Sequence, residues 1–154
     1  MALSLQLARE EDLSKIHKMQ QEAFKGFTQK YQTDVANLEK EDLAESIKRF
    51  HRTGNSYYFI MDNKKPVGVI CVVASLWAVM KHLSLLWIMP KFQRKGFGHK
   101  AVEIVESMYG KKNWKLNVIE QESDVIRFYE DVGYRKTKDI KKINDRMSVM
   151  VMDK

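Results

Sequence analysis

The alternation of apolar and polar residues along the chain predicts a mixture of strands and helices. Leu3 to Leu7 alternates with a period of two, as a half-buried strand does. Apolar residues then recur at helical spacing from Leu13 to Phe27 and again from Leu43 to Phe50. The stretch between these helices, Thr28 to Leu38, has no clear period and is predicted to be a mobile connection.

The second part of the chain continues this alternation of element types. The polar residues 62–65 join two apolar runs and predict an antiparallel hairpin, and residues 75–81 connect it to the next strand. The strand–helix–strand unit from 83 to 119 is expected to be parallel and right-handed. The predicted strands are 57–61, 66–74, 83–89, 114–119, 134–140 and 147–152, and the predicted helices are about 97–111 and 123–132.

These elements predict an α/β fold with a mixed central sheet of about seven strands, flanked by about four helices on both faces. The 154 residues favour one domain, spanning 1–154. No apolar run approaches the roughly 20 residues that a membrane helix needs, and Met1 to Arg9 does not resemble a secretory signal. The one cysteine, Cys71, lies in an apolar run and is expected to be buried and inert. A reducing cytoplasm is the expected location.

The net charge of +7 is compatible with nucleic acid, acidic lipid or a phosphorylated cofactor as a partner. Part of this charge lies late in the chain, from Arg135 to Arg146, and we interpret that cluster as a solvated strand edge. Another part surrounds a glycine turn in the middle of the chain. The residues of this turn therefore bear most directly on which of these partners the positive charge would bind.

The glycine turn, Gln93 to Gly98, follows the predicted strand at 83–89 and opens the helix at about 97. A strand, a glycine turn and a helix together present free backbone N–H groups and a helix dipole to an anion. Glycine at 96 and 98 removes Cβ atoms that would block a close approach. Basic residues surround the turn, and residues 91–100 contain no acid, so the sequence predicts an anion site.

Other interpretations of this turn compete with a general anion site. Residues 96–101 fit the dinucleotide pattern G-x-G-x-x-A, with Glu120 further along at a strand end. However, Pro90 to Lys95 separate the strand from the first glycine, and the chain after Glu120 is too short to complete a parallel sheet. The phosphate-loop pattern G-x-x-x-x-G-K-[ST] is absent. The glycines could also make a turn and nothing more.

Two segments together resemble the GNAT superfamily of N-acetyltransferases. Residues 88–90 followed by Gln93-x-x-Gly96-x-Gly98 are similar to the superfamily's pyrophosphate-binding pattern, Q/R-x-x-G-x-G/A. Residues 124–134 resemble its later motif, a helix with an aromatic-Tyr pair that runs into Gly-Tyr. The resemblance covers nearly the whole chain and is strongest over 83–134. It implies a GNAT-like acyltransferase fold and acetyl-coenzyme A (acetyl-CoA) as cosubstrate.

The resemblance also implies which residues bind the cofactor. In this superfamily the fourth strand pairs with the pantetheine arm, and that strand ends here at residues 87–89. The N–H groups of residues 93–98 would bind the pyrophosphate, and nearby basic side chains would add positive charge. The cofactor-binding residues expected on this basis are Trp87, Ile88, Met89, Gln93, Arg94, Lys95, Gly96, Phe97, Gly98, Lys100 and Asn117.

For catalysis, Tyr129 stands where the superfamily has its general acid, and a phenol with a pKa near 10 stays protonated at neutral pH. A core aromatic residue is the other interpretation of Tyr129. The resemblance leaves the base less clear; we rank Glu120 first, with His82 behind it. Glu122 stands where many members have an asparagine that contacts the cofactor, so this chain departs from the pattern there. The histidines show no metal spacing, and no metal is expected.

The expected function is therefore an acetyl-CoA-dependent N-acetyltransferase that acts on a primary amine by direct attack in a ternary complex. The acceptor, a small-molecule or peptide amine, would bind near the first two helices and residues 28–38, which include Tyr31 and Asp34. The alternative is a non-catalytic module on the same fold that binds CoA, a partner or nucleic acid. Nucleic acid and membrane are not the expected partners, and a homodimer is compatible with the sequence.

Overall fold

The computed structural model describes residues 3–75 and 79–154. The predicted connection at 75–81 includes residues 76–78, which lie outside the described residues. The strands are β1 (Leu3–Leu7), β2 (Asn55–Asp62), β3 (Lys65–Val73), β4 (Lys81–Ile88), β5 (Trp114–Ile119), β6 (Arg135–Asn144) and β7 (Met147–Asp153). The helices are α1 (Leu13–Ala23), α2 (Phe27–Tyr31), α3 (Leu43–Phe50), α4 (Phe97–Tyr109) and α5 (Ser123–Asp131), with 3-10 turns at Glu10–Asp12 and Pro90–Phe92.

The seven strands form one mixed sheet in the order β1-β2-β3-β4-β5-β7-β6. β4 and β5 run parallel, with α4 between them in the chain, as the sequence predicts. The other neighbouring strands are antiparallel, and the predicted hairpin of β2 and β3 turns through residues 63 and 64. The predicted fold class is therefore confirmed.

The sheet has a helical layer on each face. On one face, Leu13 and Ile16 of α1 pack in a core with Val69 and Cys71 of β3. On the other face, Ile70 of β3 packs in a core that includes α4 and α5. Successive side chains of β3 are buried on opposite faces, which is why its sequence is a continuous apolar run rather than an alternating one. Within residues 3–75 and 79–154, no helix is long and apolar enough to cross a membrane.

The region after α1 differs from the prediction. The prediction of one helix reaching Phe27 was wrong, because α1 ends at Ala23 and a separate helix, α2, begins at Phe27. The first residues of the predicted connection, 28–31, are therefore helical, while the mobility of the rest stays a prediction. Glu39 explains the difference: its carboxylate accepts hydrogen bonds at 2.9 Å from the N–H groups of Gly26 and Thr28. A carboxylate at a helix N-terminus satisfies free N–H groups and complements the dipole.

The outer strand β6 is longer than predicted, since its pairing with β7 continues to Asn144 opposite Met147. Its residues 138–142 are exposed to solvent. The interpretation of the late basic cluster as a solvated strand edge is confirmed. Its charge also discourages unwanted pairing at that edge.

Candidate active site

A cleft opens in the middle of the sheet between β4 and β5. The two strands pair only at Lys81 with Trp114 and at His82 with Lys115 among the described residues, although β4 runs on to Ile88. A cavity of about 720 Å³ lies beyond these pairs. On this side β4 has no strand partner, and unpaired backbone N–H and C=O groups are strong hydrogen-bonding sites. The fold therefore provides a sheet edge inside a cavity.

Several regions of the chain form the cavity. β4 contributes residues 83–86, and β5 contributes residues 117–119, which include the predicted site residue Asn117. The end of α1, the turn after it and part of α2 also line the cavity, together with α5 and with Ala36, Leu38 and Arg49. The predicted participation of the first helices and of Tyr31 agrees with this arrangement, whereas Asp34 is exposed and outside the cavity lining.

The glycine turn lies just beyond β4 and leads into α4. Arg94 (φ +65°) and Gly96 (φ +81°) both have left-handed backbone, and a Cβ at Gly96 would meet nothing within 4 Å. The Lys100 N–H donates to the Gly96 carbonyl at 3.2 Å. The N–H groups of residues 97–99 precede this first helical bond and therefore have no helical acceptor. With exposed Arg94, Lys95 and Lys100 beside them, they form a suitable anion site.

Gly98 also has a packing role that the sequence pattern did not indicate. A Cβ at this position would lie 3.0 Å and 3.1 Å from two ring atoms of Phe128 in α5. Its missing side chain makes room for Phe128, and the expectation that Gly98 also keeps space open for a ligand stays a prediction. The two glycines of the motif thus serve separate purposes, since Gly96 provides the left-handed turn.

The backbone and side chains at the end of β4, where the cofactor was predicted to bind, already have partners within the protein. The Met89 N–H donates to the Val67 carbonyl at 2.8 Å, and the Ile88 carbonyl accepts from Gln93 Nε2 at 2.9 Å. The Trp87 side chain is buried on the α1 face, where its ring meets Phe24 edge-on at 5.7 Å. The part of β4 that lines the cavity is therefore residues 83–86, which precede the predicted positions 87–89.

Tyr129 lies on α5 and lines the cavity, although only 8% of its surface is exposed. Its hydroxyl has no hydrogen-bond partner among the described residues. Burial raises the pKa of the Tyr129 phenol above its ordinary value of 10. Since burial disfavours the phenolate, this hydroxyl keeps its proton at neutral pH. Tyr129 is thus part of the core, as the alternative interpretation expected, and it also lines the cavity with its phenol protonated. Its role as general acid stays a prediction.

Glu122 precedes α5 and joins a cluster that sequence reasoning missed. Its carboxylate accepts hydrogen bonds from Lys30 Nζ at 2.5 Å and from the Tyr31 hydroxyl. Burial would raise the pKa of Glu122, but these hydrogen bonds outweigh it and the pKa is lowered. The same contact with Glu122 raises the pKa of Lys30. The pair is therefore fully ionised at neutral pH.

Glu120 and His82, the predicted base candidates, lie elsewhere. The Glu120 carboxylate accepts a hydrogen bond from Ser148 Oγ at 2.6 Å on β7, and Glu120 is outside the cavity lining. His82 is exposed at the start of β4, beside Lys115. The structure thus brings Tyr129, Asn117 and Glu122 together at the cavity but not Glu120 or His82. A catalytic role for Glu120 stays a prediction.

Arg49 is a further cavity-lining residue without an obvious sequence signal. Its guanidinium forms two hydrogen bonds with Glu41, one of them 2.8 Å long, and both side chains are largely buried. Gln20 and Ser46 also donate to Glu41. This network fixes α3 against α1 and makes Arg49 part of the cavity's frame.

Cys71 is fully buried in β3, as predicted, and burial raises the pKa of its thiol to about 12. A thiol that stays protonated is a poor nucleophile. Across residues 3–75 and 79–154, no group of three or more His, Cys, Asp or Glu side chains is placed to hold a metal ion.

Comparison with known proteins points in one direction. The family model for the acetyltransferase (GNAT) domain matches residues 15–154. None of the curated protein sequences matches this chain significantly.

Among solved structures, the chain is similar to the ribosomal-protein-S18-alanine N-acetyltransferase of Escherichia coli, with a TM-score of 0.75 and 14% identity over 98% of this chain and 92% of that one. It is similar to the spermidine N-acetyltransferase of Vibrio cholerae in complex with CoA and spermine, with a TM-score of 0.72 and 18% identity over 97% and 93% of the two chains. The PaiA N-acetyltransferase of Thermoplasma acidophilum, in complex with coenzyme A, gives 0.69 and 18% over 100% of both. At these identities the structural matches establish the fold.

Proposed function

The chain belongs to the GNAT acetyltransferase family, and on this premise we propose that it transfers the acetyl group of acetyl-CoA to a primary amine. The transfer is direct, within a ternary complex of enzyme, acetyl-CoA and acceptor. The observation that carries the proposal is the cleft between β4 and β5, with Tyr129, whose phenol is protonated, in its lining. The acceptor is a small-molecule or peptide amine, and the expected location is the cytoplasm.

Two features of the chain fit acetyl-CoA. The unpaired edge of β4 over residues 83–86 can hydrogen-bond an extended amide-containing arm, as a further strand would. The N–H groups at the start of α4, with Arg94 and Lys95 beside them, suit a pyrophosphate. Open space at Gly96 allows that group to approach the backbone. Two of the structural relatives were solved with coenzyme A, which supports the same assignment.

Acetyl-CoA supplies a thioester carbonyl carbon, which a neutral amine attacks with formation of a C–N bond and loss of the C–S bond. Tyr129 holds the proton that the departing thiolate needs, and its oxygen can take back a proton from the acylated nitrogen. An ammonium acceptor must first lose one proton. Glu120, the base candidate from the sequence, would take that proton only through water, since it does not line the cavity.

A covalent acetyl-enzyme is not part of the proposal. Cys71 is the only cysteine of the chain, and it is buried within β3 with a raised thiol pKa. Its Sγ donates a hydrogen bond to Asn55 Oδ1 at 2.6 Å, and neither Cys71 nor Asn55 lines the cavity. Direct attack by the acceptor therefore fits the chain better than a relay through a thiol.

The test combines ligand binding with turnover. Thermal unfolding is measured with acetyl-CoA, CoA and NAD, and release of free CoA is then followed with a panel of primary amines. A ligand at 100 times its Kd adds about 2.7 kcal/mol to stability, so we expect a clear rise in Tm with both CoA forms and none with NAD. Amine-dependent CoA release supports the proposal. Binding without turnover on any amine favours the non-catalytic module, and no binding of either CoA form overturns both.

A further inference from the structure

Glu122 is the one acidic residue among the described residues that line the cavity. The proposed acceptor is a cation before it reacts, and a cation that leaves water needs a carboxylate partner. The lining also contains Lys25, Lys30 and Arg49, of which Lys30 is paired with Glu122 and Arg49 with Glu41. The neighbours of Glu122 in the lining include Phe27 and Val125, which are apolar. Glu122 is thus placed to recognise positive charge on a ligand with an aliphatic body.

The two donors to Glu122 are held very differently. Tyr31 is 3% exposed, and its backbone carbonyl accepts a hydrogen bond from Asn144 Nδ2 at 2.8 Å, so its hydroxyl is a fixed partner of the carboxylate. The Lys30 side chain is 59% exposed. It contacts Glu122 only through its terminal ammonium, whose Nζ lies 2.5 Å from the carboxylate oxygen. An exposed ammonium on a four-carbon chain is readily exchanged for another.

The position of Glu122 separates it from the reacting end of the cleft. Glu122 is the N-cap residue of α5 and Tyr129 lies seven positions later, which separates the two residues by about 10 Å along the helix axis. A carboxylate also keeps a bound amine charged, whereas the attacking nitrogen must be neutral. The group that Glu122 binds is therefore a second cationic group, remote from the nitrogen that is acetylated.

We propose that Glu122 binds a distal ammonium group of the acceptor, and that Lys30 occupies this position in the free enzyme as an internal competitor. This inference rests on the proposed function and narrows its acceptor to an aliphatic amine with a second positive charge. Tyr31 is a positioning residue that orients the carboxylate. Lys30 has the chemistry expected of this ligand, an ammonium on a short aliphatic chain.

The test compares butylamine with 1,4-diaminobutane as acceptors of the acetyl group. We expect wild type to prefer the diamine in kcat/KM by about tenfold, the effect of one hydrogen bond to a charged group. Glu122→Gln keeps an acceptor oxygen for Tyr31 and should abolish that preference. Lys30→Met removes the competitor and should lower the KM for the diamine several-fold, while Lys30→Arg, which keeps a cation, should not.

A binding measurement separates this inference from the proposed function. N,N,N′,N′-tetramethyl-1,4-diaminobutane has two positive charges when it is protonated, but its neutral tertiary nitrogens have no hydrogen that acylation could replace, so calorimetry follows its binding without turnover. We expect it to bind Lys30→Met more tightly than wild type, and Glu122→Gln about tenfold more weakly. Equal binding to all three proteins, or no preference for the diamine over butylamine in wild type, overturns the inference even if acetyl transfer occurs. Unchanged acetyl-CoA affinity in both variants shows that they are folded.

Discussion

The glycine turn after β4 and the Lys30–Tyr31–Glu122 cluster are the two charged regions of the candidate site, and they are held in place in different ways. The turn is local: Gln93 bonds the Ile88 carbonyl five residues away, and the first bond of α4 spans four residues. The cluster is long-range, because Lys30 and Glu122 are 92 residues apart along the chain. The turn therefore keeps its shape by itself, whereas the cluster exists only when α2 is correctly placed.

The electrostatic properties of the two regions also differ. The turn has N–H groups without helical acceptors, the exposed cations Arg94 and Lys95, and no acid between residues 91 and 100, so its charge is available to a ligand. Lys100 is paired with Glu103 at 3.5 Å. The cluster is internally neutralised, because the Glu122 carboxylate already has an ammonium and a phenol as donors. A ligand is simply added at the turn but must displace Lys30 at the cluster. We therefore expect substitutions at the turn to have larger effects than those at the cluster.

The largest effect is expected from Gly96→Asp. The substitution adds a negative charge at the proposed pyrophosphate site and a side chain at a residue with φ +81°. Acetyl-CoA affinity, measured by calorimetry, should fall at least about 100-fold from the lost charge complementarity. Gly96→Asn is the matched control, since asparagine tolerates left-handed backbone and has no charge. If Asp and Asn weaken binding equally, charge at the turn is not what binds the cofactor.

Tyr129→Phe tests the proposed role of Tyr129 as the proton donor. Removing the proton donor should lower kcat about 100-fold or more, with the Kd for acetyl-CoA unchanged, because the ring still fills its place in the core. Tyr134→Phe is the control, since Tyr134 packs edge-on against Tyr129 at 5.6 Å but does not line the cavity. Equal kcat in Tyr129→Phe and wild type would remove Tyr129 from the role of acid.

Gly98→Ala separates the two glycines of the motif. The new Cβ would press on the Phe128 ring at 3.0 Å, and overpacking of this kind costs about 1–3 kcal/mol, against a gain of up to about 1 kcal/mol from replacing a helical glycine. We expect a lower free energy of unfolding in urea, with acetyl-CoA affinity retained. Phe128→Leu in the same chain should restore part of the loss. Lost affinity with unchanged stability would return Gly98 to a ligand-binding role.

The contrast between the two regions also explains what could be predicted from the sequence. The strand, turn and helix around Gly96 were predictable because each element is a local pattern, and the parallel pair β4–β5 follows from the helix between them. The role of Gly98 was not, because Phe128 lies 30 positions further along the chain. A sequence pattern shows that a side chain is missing but not which atoms occupy the space.

The acceptor side was predictable only as a region. The sequence after α1 has no helical period, so α2 was not predicted. The start of α2 depends on hydrogen bonds to the carboxylate of Glu39, which lies outside the helix. Glu122 was noticed only as a departure from the asparagine that many relatives have, and its partners Lys30 and Tyr31 have no local relation to it. Glu120 was favoured as base because it ends β5, but its side chain bonds Ser148 instead. Such placements depend on the whole fold.

The smallest effect is expected from the charge of Glu122 on stability. Its pKa is lowered below 4.5 in the folded protein, so its contribution to stability is present above pH 4.5 and is lost as the pH falls through the lowered value. For a pair with an exposed Lys30 this amounts to about 0.2–1 kcal/mol at pH 7. The difference in unfolding free energy between wild type and Glu122→Gln should therefore shrink on acidification, and shrink at pH 7 as well when both chains also have Lys30→Met. If the difference is the same at pH 7 and well below pH 4.5, packing rather than the ion pair holds α2 against α5. Lys30 would then make no charge interaction with Glu122 that a ligand could replace.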